Sequence, residues 1–456
     1  MIFAKPRERA ARRQNTASQR ALPRHALQAT AQRVTLFYFL PAPSYARLVN
    51  IAGQILLMLA LSGSSLSAEV KLGNEVLAAG GFKVLRGKRV GLLTNPSGVN
   101  HNLESTIDVL RAAPDVKLVA LFGPEHGIYG DVPAGDKVES RIDARTGLPV
   151  HSLYGATFKP TPDMLKGLDA LVYDLQDTGC RSYTFISTMG VAMEACGEAG
   201  VEFIVLDRPN PLGGERVEGP VLEEKFRSLV SRWKVPYVYG LTCGELAQMI
   251  NGEHWIPRPC KLQVVPMSGW KRHMVWRDTG LPWVPTSPHV PHDESALFQV
   301  ATGMLGEIGG VSTGIGYTLP FQCVAAPGLD PQKLAEFLNA YRLAGVRFKP
   351  ITYKPYYFAF KDQNIGGVQI FFTDPAKAPL TAINFYALEA LRKVAERDLF
   401  DEALKAQKSF AMFDKVNGTD ATRLALQAGT QATEIVASWQ AGEQAFRRAR
   451  RAYLLY

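Results

Sequence analysis

Four near-continuous apolar runs constrain the fold of this chain more than anything else in it: Arg89 to Thr94, Lys117 to Phe122, Ala170 to Asp174 and Glu202 to Asp207. Strands without apolar–polar alternation must be covered on both faces, which is the condition of a parallel sheet. Helical patterns at Leu103 to Ala112, Thr161 to Gly167 and Ile186 to Ala199 lie between them, the last stopping at Gly200. Strands alternating with helices predict an α/β, doubly wound parallel sheet. Polar residues collect just after these runs: Asn95, Glu125 and His126, Asp174 to Asp177, and Asp207 to Asn210. In such a sheet the carboxyl ends of the strands share one edge, where ligands bind.

The N-terminus reads as a separate matter. Residues 1–68 carry nine Lys or Arg and one acid, so eight of the nine net positive charges fall there. The basic pI therefore gives no reason to expect nucleic acid as a partner of the folded part. Leu48 to Leu61 is a short apolar core, and Ser62 to Ala68 is a small-residue exit. The pattern predicts a secretory signal cleaved near Ala68, and so a periplasmic or secreted protein. A retained anchor is the alternative, and it would be the only route to a membrane. The five cysteines contain no CxxC pair and are expected to be mostly buried thiols.

After the leader, ~390 residues exceed one ordinary core. The expected division is a sheet domain over 69–260, a Trp- and Pro-rich linker over 261–293, and a smaller α+β domain over 294–456. The second domain rests on helical patterns at Pro331 to Leu343 and Thr381 to Glu396, and on strand signals at Tyr356 to Phe360 and Gly367 to Phe372. The tail from Thr419 reads as one or two amphipathic helices with Ile435, Trp439 and Phe446 as core.

Gly123-Pro-Glu-His-Gly127 presents a carboxylate and an imidazole on a turn at a strand end. Glu125 is the candidate catalytic acid, with a solvated surface Glu as the structural alternative. Asp174-Leu-Gln-Asp177-Thr-Gly-Cys-Arg181-Ser-Tyr183 supplies two further acids, Gln176, Arg181 and Tyr183. Helix capping or an Asp–Arg pair is the alternative there. Asp207-Arg208-Pro-Asn210 offers groups suited to a sugar, or a structural ion pair. His289-Val-Pro-His292 lies in a Pro-broken loop rather than at helical spacing, so no metal is expected. GxGxxG, GxxxxGK[ST] and GxSxG are all absent. No nucleotide cofactor and no ordinary serine-hydrolase elbow are expected.

An ordered series then supports a resemblance. It runs through Gly91 to Val99, Phe122 to Gly127 with Gly130-Asp131, and Tyr173 to Gly179, then through Arg181 to Met189, Leu206 to Pro211 and Trp276 to Val284. The series resembles the NamZ-type exo-β-N-acetylmuramidases, glycoside hydrolase family 171. The resemblance spans roughly Leu72 to Tyr456. It implies a Rossmann-like domain, a smaller C-terminal domain and a site in the cleft between them. It also implies release of terminal N-acetylmuramic acid from peptidoglycan-derived saccharide, with Glu125 as the acid. Two departures stand out. Ser312-Thr313-Gly314-Ile315-Gly316 replaces an expected Ser-Glu-Gly-Arg-Gly, and Ser287-Pro-His289 replaces Ser-Pro-Asn. An Arg would hold the lactyl carboxylate of muramic acid well, so the exact sugar stays open.

The expectation is therefore a carboxylate-dependent glycosidase. Glu125 is the acid, and Asp177, then Asp174, is the second carboxylate. Asn95, His126, Gln176, Arg181, Tyr183, Asp207, Arg208, Asn210 and His289 would bind substrate. A non-catalytic muropeptide binder and a metal-dependent hydrolase built on Glu125, His126, His289 and His292 are the competing readings.

Overall fold

The computed structural model describes residues 69–456. The expected leader and signal segment lie outside the described residues.

All four apolar runs are strands of one seven-stranded sheet. They are β1 (Arg89–Thr94), β2 (Lys117–Gly123), β5 (Ala170–Asp174) and β6 (Glu202–Leu206). The short β3 (Arg141–Ile142) and β4 (Pro149–Ser152) extend one edge, and β7 (Leu262–Val265) closes the other. The order is β3-β4-β2-β1-β5-β6-β7, and every pairing is parallel except β3 with β4. Leu92 of β1 lies between Leu121 and Val172, a wholly apolar row. The β7 strand falls inside the stretch expected to be a linker, which therefore supplies the last strand of the sheet.

Helices α1 (Gly73–Ala79), α2 (Thr106–Ala112), α3 (Pro162–Leu165), α4 (Thr184–Ala199) and α5 (Cys243–Gly252) flank this sheet. Several starts have a local cause. Ser105 accepts the Ile107 N–H to cap α2, and Thr242 forms a capping box with Glu245 at α5. Helix α4 ends at Gly200, whose φ of 72° is left-handed, as its sequence position predicted.

The smaller second sheet is antiparallel, ordered β8-β10-β9. Its strands are β8 (Cys323–Ala326), β9 (Val346–Tyr353) and β10 (Ile365–Phe372). Helices α6 (Ser295–Ile308), α7 (Pro331–Ala340) and α8 (Leu380–Val394) share its apolar core. Short helices from Leu399 to Ala449 complete the chain, and Ile435, Trp439 and Phe446 are buried as expected. The expected strand at Tyr356–Phe360 is not one. Phe358 and Phe360 have φ of 66° and 60°, which no extended strand allows. β9 lies just before it and alternates buried and exposed positions along its first half.

Cys180, Leu212, Tyr237 and Val238, from loops of the first half, pack into the second core. All five cysteines are buried and unpaired. Among the described residues, no helix is long and apolar enough to cross a membrane.

Candidate active site

The turn after β2 holds Glu125 half-buried at the carboxyl edge of the large sheet. Two donors fix its carboxylate. The Thr184 hydroxyl donates to Oε2 at 2.7 Å, and the Gly135 N–H donates to Oε1 at 3.1 Å. Thr184 is the first residue of α4, so Glu125 faces the end of that helix where N–H groups lack internal partners. The Tyr154 phenol lies against the same carboxylate. Burial first, then the Glu125 charge and hydrogen bond, push it up to about 12. It therefore stays a neutral hydroxyl at any physiological pH.

His126 occupies a left-handed turn at φ 71° and is buried. Its Nδ1 lies 2.8 Å from the Val132 carbonyl oxygen. A carbonyl can only accept, so Nδ1 donates to it and Nε2 is the ring nitrogen left without that partner. His289, from the loop before α6, sits across from it. Burial and then the His126 charge hold its pKa below the usual histidine range. Its Nε2 lies 3.2 Å from the Tyr357 hydroxyl of the second half. Tyr183, the residue before α4, is buried with its hydroxyl bonded to Thr286 and beside Ser287. The charges of both Asp177 and Glu125 act on that phenol. Residues from both halves thus meet around Glu125.

The other expected site residues lie behind this wall. Asp174 is fully buried and accepts from Arg208 Nε at 2.5 Å and Nη2 at 3.1 Å, from the Thr106 hydroxyl at 2.5 Å and from the Asn74 amide at 3.4 Å. Asp174 and Arg208 therefore form a buried ion pair beneath that wall. Asp207 accepts from Thr242, Gly244 N–H and the Tyr456 hydroxyl, which ties the start of α5 to the sheet. Asn210 donates to the Leu241 carbonyl and accepts from Leu212 N–H. Asn95 joins the Thr286 carbonyl to Ser97, and Gln176 donates to the carbonyls of Asp177 and Pro209. Arg181 is wholly buried with its guanidinium spent on main-chain carbonyls. Arg181, Asn95, Gln176 and Asn210 thus satisfy buried backbone, while Asp174 and Asp207 are held largely by other side chains.

Asp177 corrects the expectation that it reaches the cleft. It is 5 % exposed, its Oδ2 accepts from Gly179 N–H at 2.6 Å and from the Tyr239 hydroxyl, and its Oδ1 has no partner. Burial pushes its carboxyl up to about 6 against the pull of those donors. A folded value above the unfolded one of about 3.9 favours folding in acid. That contribution is complete below about pH 4 and is lost as pH rises through about 6. A shift of about two units is worth about 3 kcal/mol. Asp177→Asn should therefore weaken the fall in stability between pH 4 and pH 7, seen as urea midpoints that differ less across that window than in wild type. An unchanged pH slope would show that Asp177 does not titrate this way.

Thr184, Tyr154, Ser287 and Tyr357 are the cleft residues that the sequence left unmarked as a site. Thr184 lay inside a quoted motif, Ser287 inside a departing one and Tyr357 inside an expected strand, whereas Tyr154 had no local signal at all. Among the described residues, no three His, Cys, Asp or Glu side chains converge as a metal-binding group. His292, needed by the metal-dependent reading, is exposed, with its N–H bonded to Ser295.

The chain is similar to proteins of one known family. Residues 90–294 match the family model described as exo-β-N-acetylmuramidase NamZ, N-terminal, and residues 298–456 match its C-terminal counterpart. A peptidoglycan β-N-acetylmuramidase NamZ of Bacillus subtilis (strain 168) is 43 % identical over 388 residues, 85 % of this chain and 92 % of the relative. Two solved DUF1343 family proteins of Bacteroides fragilis NCTC 9343 share the fold. One is 51 % identical with a TM-score of 0.81, and the other is 29 % identical with a TM-score of 0.64. Each pairing covers 85 % of this chain and 99 % of the neighbour.

Proposed function

The chain belongs to the exo-β-N-acetylmuramidase NamZ family, and from that membership we propose that it is a glycoside hydrolase releasing terminal N-acetylmuramic acid from peptidoglycan fragments. One observation carries the assignment of the chemistry. Of the expected site acids Glu125, Asp174, Asp177 and Asp207, only Glu125 keeps an accessible carboxylate, held by Thr184 and Gly135 at the edge of the sheet. Glu125 protonates the departing glycosidic oxygen. His126 and His289 offer ring nitrogens to sugar hydroxyls.

Hydrolysis generally also needs a second carboxylate. With Asp174 and Asp177 both buried, the 2-acetamido oxygen of the substrate fills that role. Attack by the neighbouring acetamido group is an established variant of glycosidase chemistry. The acetamido oxygen bonds to C1 as the C1–O bond breaks and the leaving oxygen takes the Glu125 proton. Water, deprotonated by Glu125, then reopens the ring intermediate with overall retention.

Incubation with a defined muramic acid–glucosamine disaccharide, followed by mass analysis, should show free N-acetylmuramic acid. The same substrate with a hydroxyl in place of the acetamido group should be inert. Comparable turnover of both would return the second role to a carboxylate. A chelator should leave the rate unchanged.

The proposal includes delivery outside the cytoplasm, supported by the charge and apolar pattern of residues 1–68. N-terminal sequencing of protein recovered from the cell envelope should begin near residue 68, and a cytosolic protein with an intact leader would refute this.

A further inference from the structure

We propose that the loop Tyr356–Phe358 is a stacking platform for the sugar on the leaving-group side of the scissile bond. This rests on the glycosidase reading and goes beyond it. Three consecutive aromatic side chains are 61 %, 49 % and 71 % exposed, against the general tendency of such rings to be buried. Neither loose chain nor chance explains them. The N–H groups of Tyr356 and Tyr357 both donate to the Gly316 carbonyl, at 2.7 and 3.4 Å. Tyr317 stacks on Tyr353 at 4.7 Å and packs against Tyr356 at 5.5 Å. Phe358 holds a left-handed backbone at φ 66°, unfavourable for a bulky residue unless its surroundings impose it. The rings are therefore presented in a fixed arrangement before any ligand arrives, which lowers the ordering cost of binding.

The loop is continuous with the site. From Glu125 the wall passes to His126 and then to His289, whose ring lies 21° from parallel with Tyr357 and 3.2 Å from its hydroxyl. Beyond Tyr357 come the more exposed rings of Tyr356 and Phe358. Exposure thus rises outward from the half-buried acid. A terminal sugar placed at Glu125 would put the next sugar over this rim. A pyranose presents an apolar face of C–H groups, and the face of an aromatic ring carries the negative side of its quadrupole, so the two attract. On the first-sheet side, Tyr154 and the exposed Phe158 meet edge to face at 5.4 Å beside the same carboxylate. Ile315, half-buried, precedes the Gly316 that anchors the loop.

The test compares two substrates. One is the muramic acid–glucosamine disaccharide. The other is N-acetylmuramyl fluoride, whose leaving group is one atom and fills no further subsite. For the double variant Tyr356→Leu, Phe358→Leu, kcat/KM on the disaccharide should fall about tenfold, the order expected for truncating aromatic anchors. Its rate on the fluoride should stay within about twofold of wild type, as should its thermal midpoint. Phe358→Trp, which keeps a flat ring, should retain the disaccharide rate. Equal loss on both substrates, or no loss on the disaccharide, would overturn the platform. Wild type inert on both substrates would instead sink the glycosidase reading beneath it.

Discussion

Glu125→Gln should reduce turnover of the disaccharide by about 10²–10⁴-fold, the usual share of a positioned acid or base, while ligand affinity stays within a few-fold. The substitution is nearly isosteric. A Gln can still accept from the Thr184 hydroxyl through its amide oxygen, the contact now made at 2.7 Å. What it loses is the proton. The loss should therefore track the need of the leaving group for that proton. Bond cleavage in the fluoride requires little protonation, so its kcat/KM, which reports that first step and not the later deprotonation of water, should fall much less than kcat/KM of the disaccharide. Matched kinetics on folded protein decide the point. A disaccharide rate near wild type removes Glu125 from the mechanism, and equal losses on both substrates would make it a binding rather than an acid residue.

Arg181→Leu should destabilise the fold by about 4 kcal/mol or more, since buried polar groups left without partners cost about 1–3 kcal/mol each. The guanidinium donates to the Ser231 hydroxyl and to the carbonyls of Pro220, Val235, Val416 and Asn417, at 2.6 to 3.1 Å. Among the described residues no carboxylate pairs with it, and burial pushes its pKa down to about 10. The residue ties the loop after β5 to the end of a helix that packs in the second core, Ala411–Asn417. Arg181→Lys cannot repair this, because an ammonium has three donors and no planar fork. Gly418 makes the same point from the other side. Its φ is 80°, and a Cβ there would lie 2.4 Å from Arg181 Nη2. Gly418→Ala should therefore destabilise as well. Urea midpoints measure both variants, and a Leu variant within 1 kcal/mol of wild type would show that the buried carbonyls find other partners.

Arg181 also shows where reading the chain residue by residue stops. It follows a strand in a stretch rich in acids and aromatics, which is the local context of a substrate-binding arginine. Nothing within ten residues reveals that its partners are Pro220, Val235, Val416 and Asn417. Asp174 was weighed as a site residue, a helix cap or a partner of Arg181, and its actual partner, Arg208, turned on whether β5 and β6 are neighbours. They are, so the two groups meet beneath the cleft. The β7 strand was missed because four residues in a Trp- and Pro-rich stretch carry little pattern. The run at Tyr356–Phe360 was misread as a strand because aromatic propensity describes a half-buried pleated surface. Here the same rings stand in solvent on a left-handed backbone.

By itself the sequence determined the parallel sheet, the family and the position of Glu125. Buried parallel strands require long apolar runs, and a turn with Gly, Pro, Glu and His at a strand end is written in adjacent residues. Only the tertiary structure decided which polar groups remain for chemistry. That outcome depends on burial and on partners far along the chain, 236 positions away for Arg181 and Asn417 and 249 for Asp207 and Tyr456. A buried polar group must be satisfied by whatever backbone folds against it. Of twelve residues that looked alike along the chain, most were consumed in holding the cleft together, and Glu125, His126, Tyr183 and His289 were left around it.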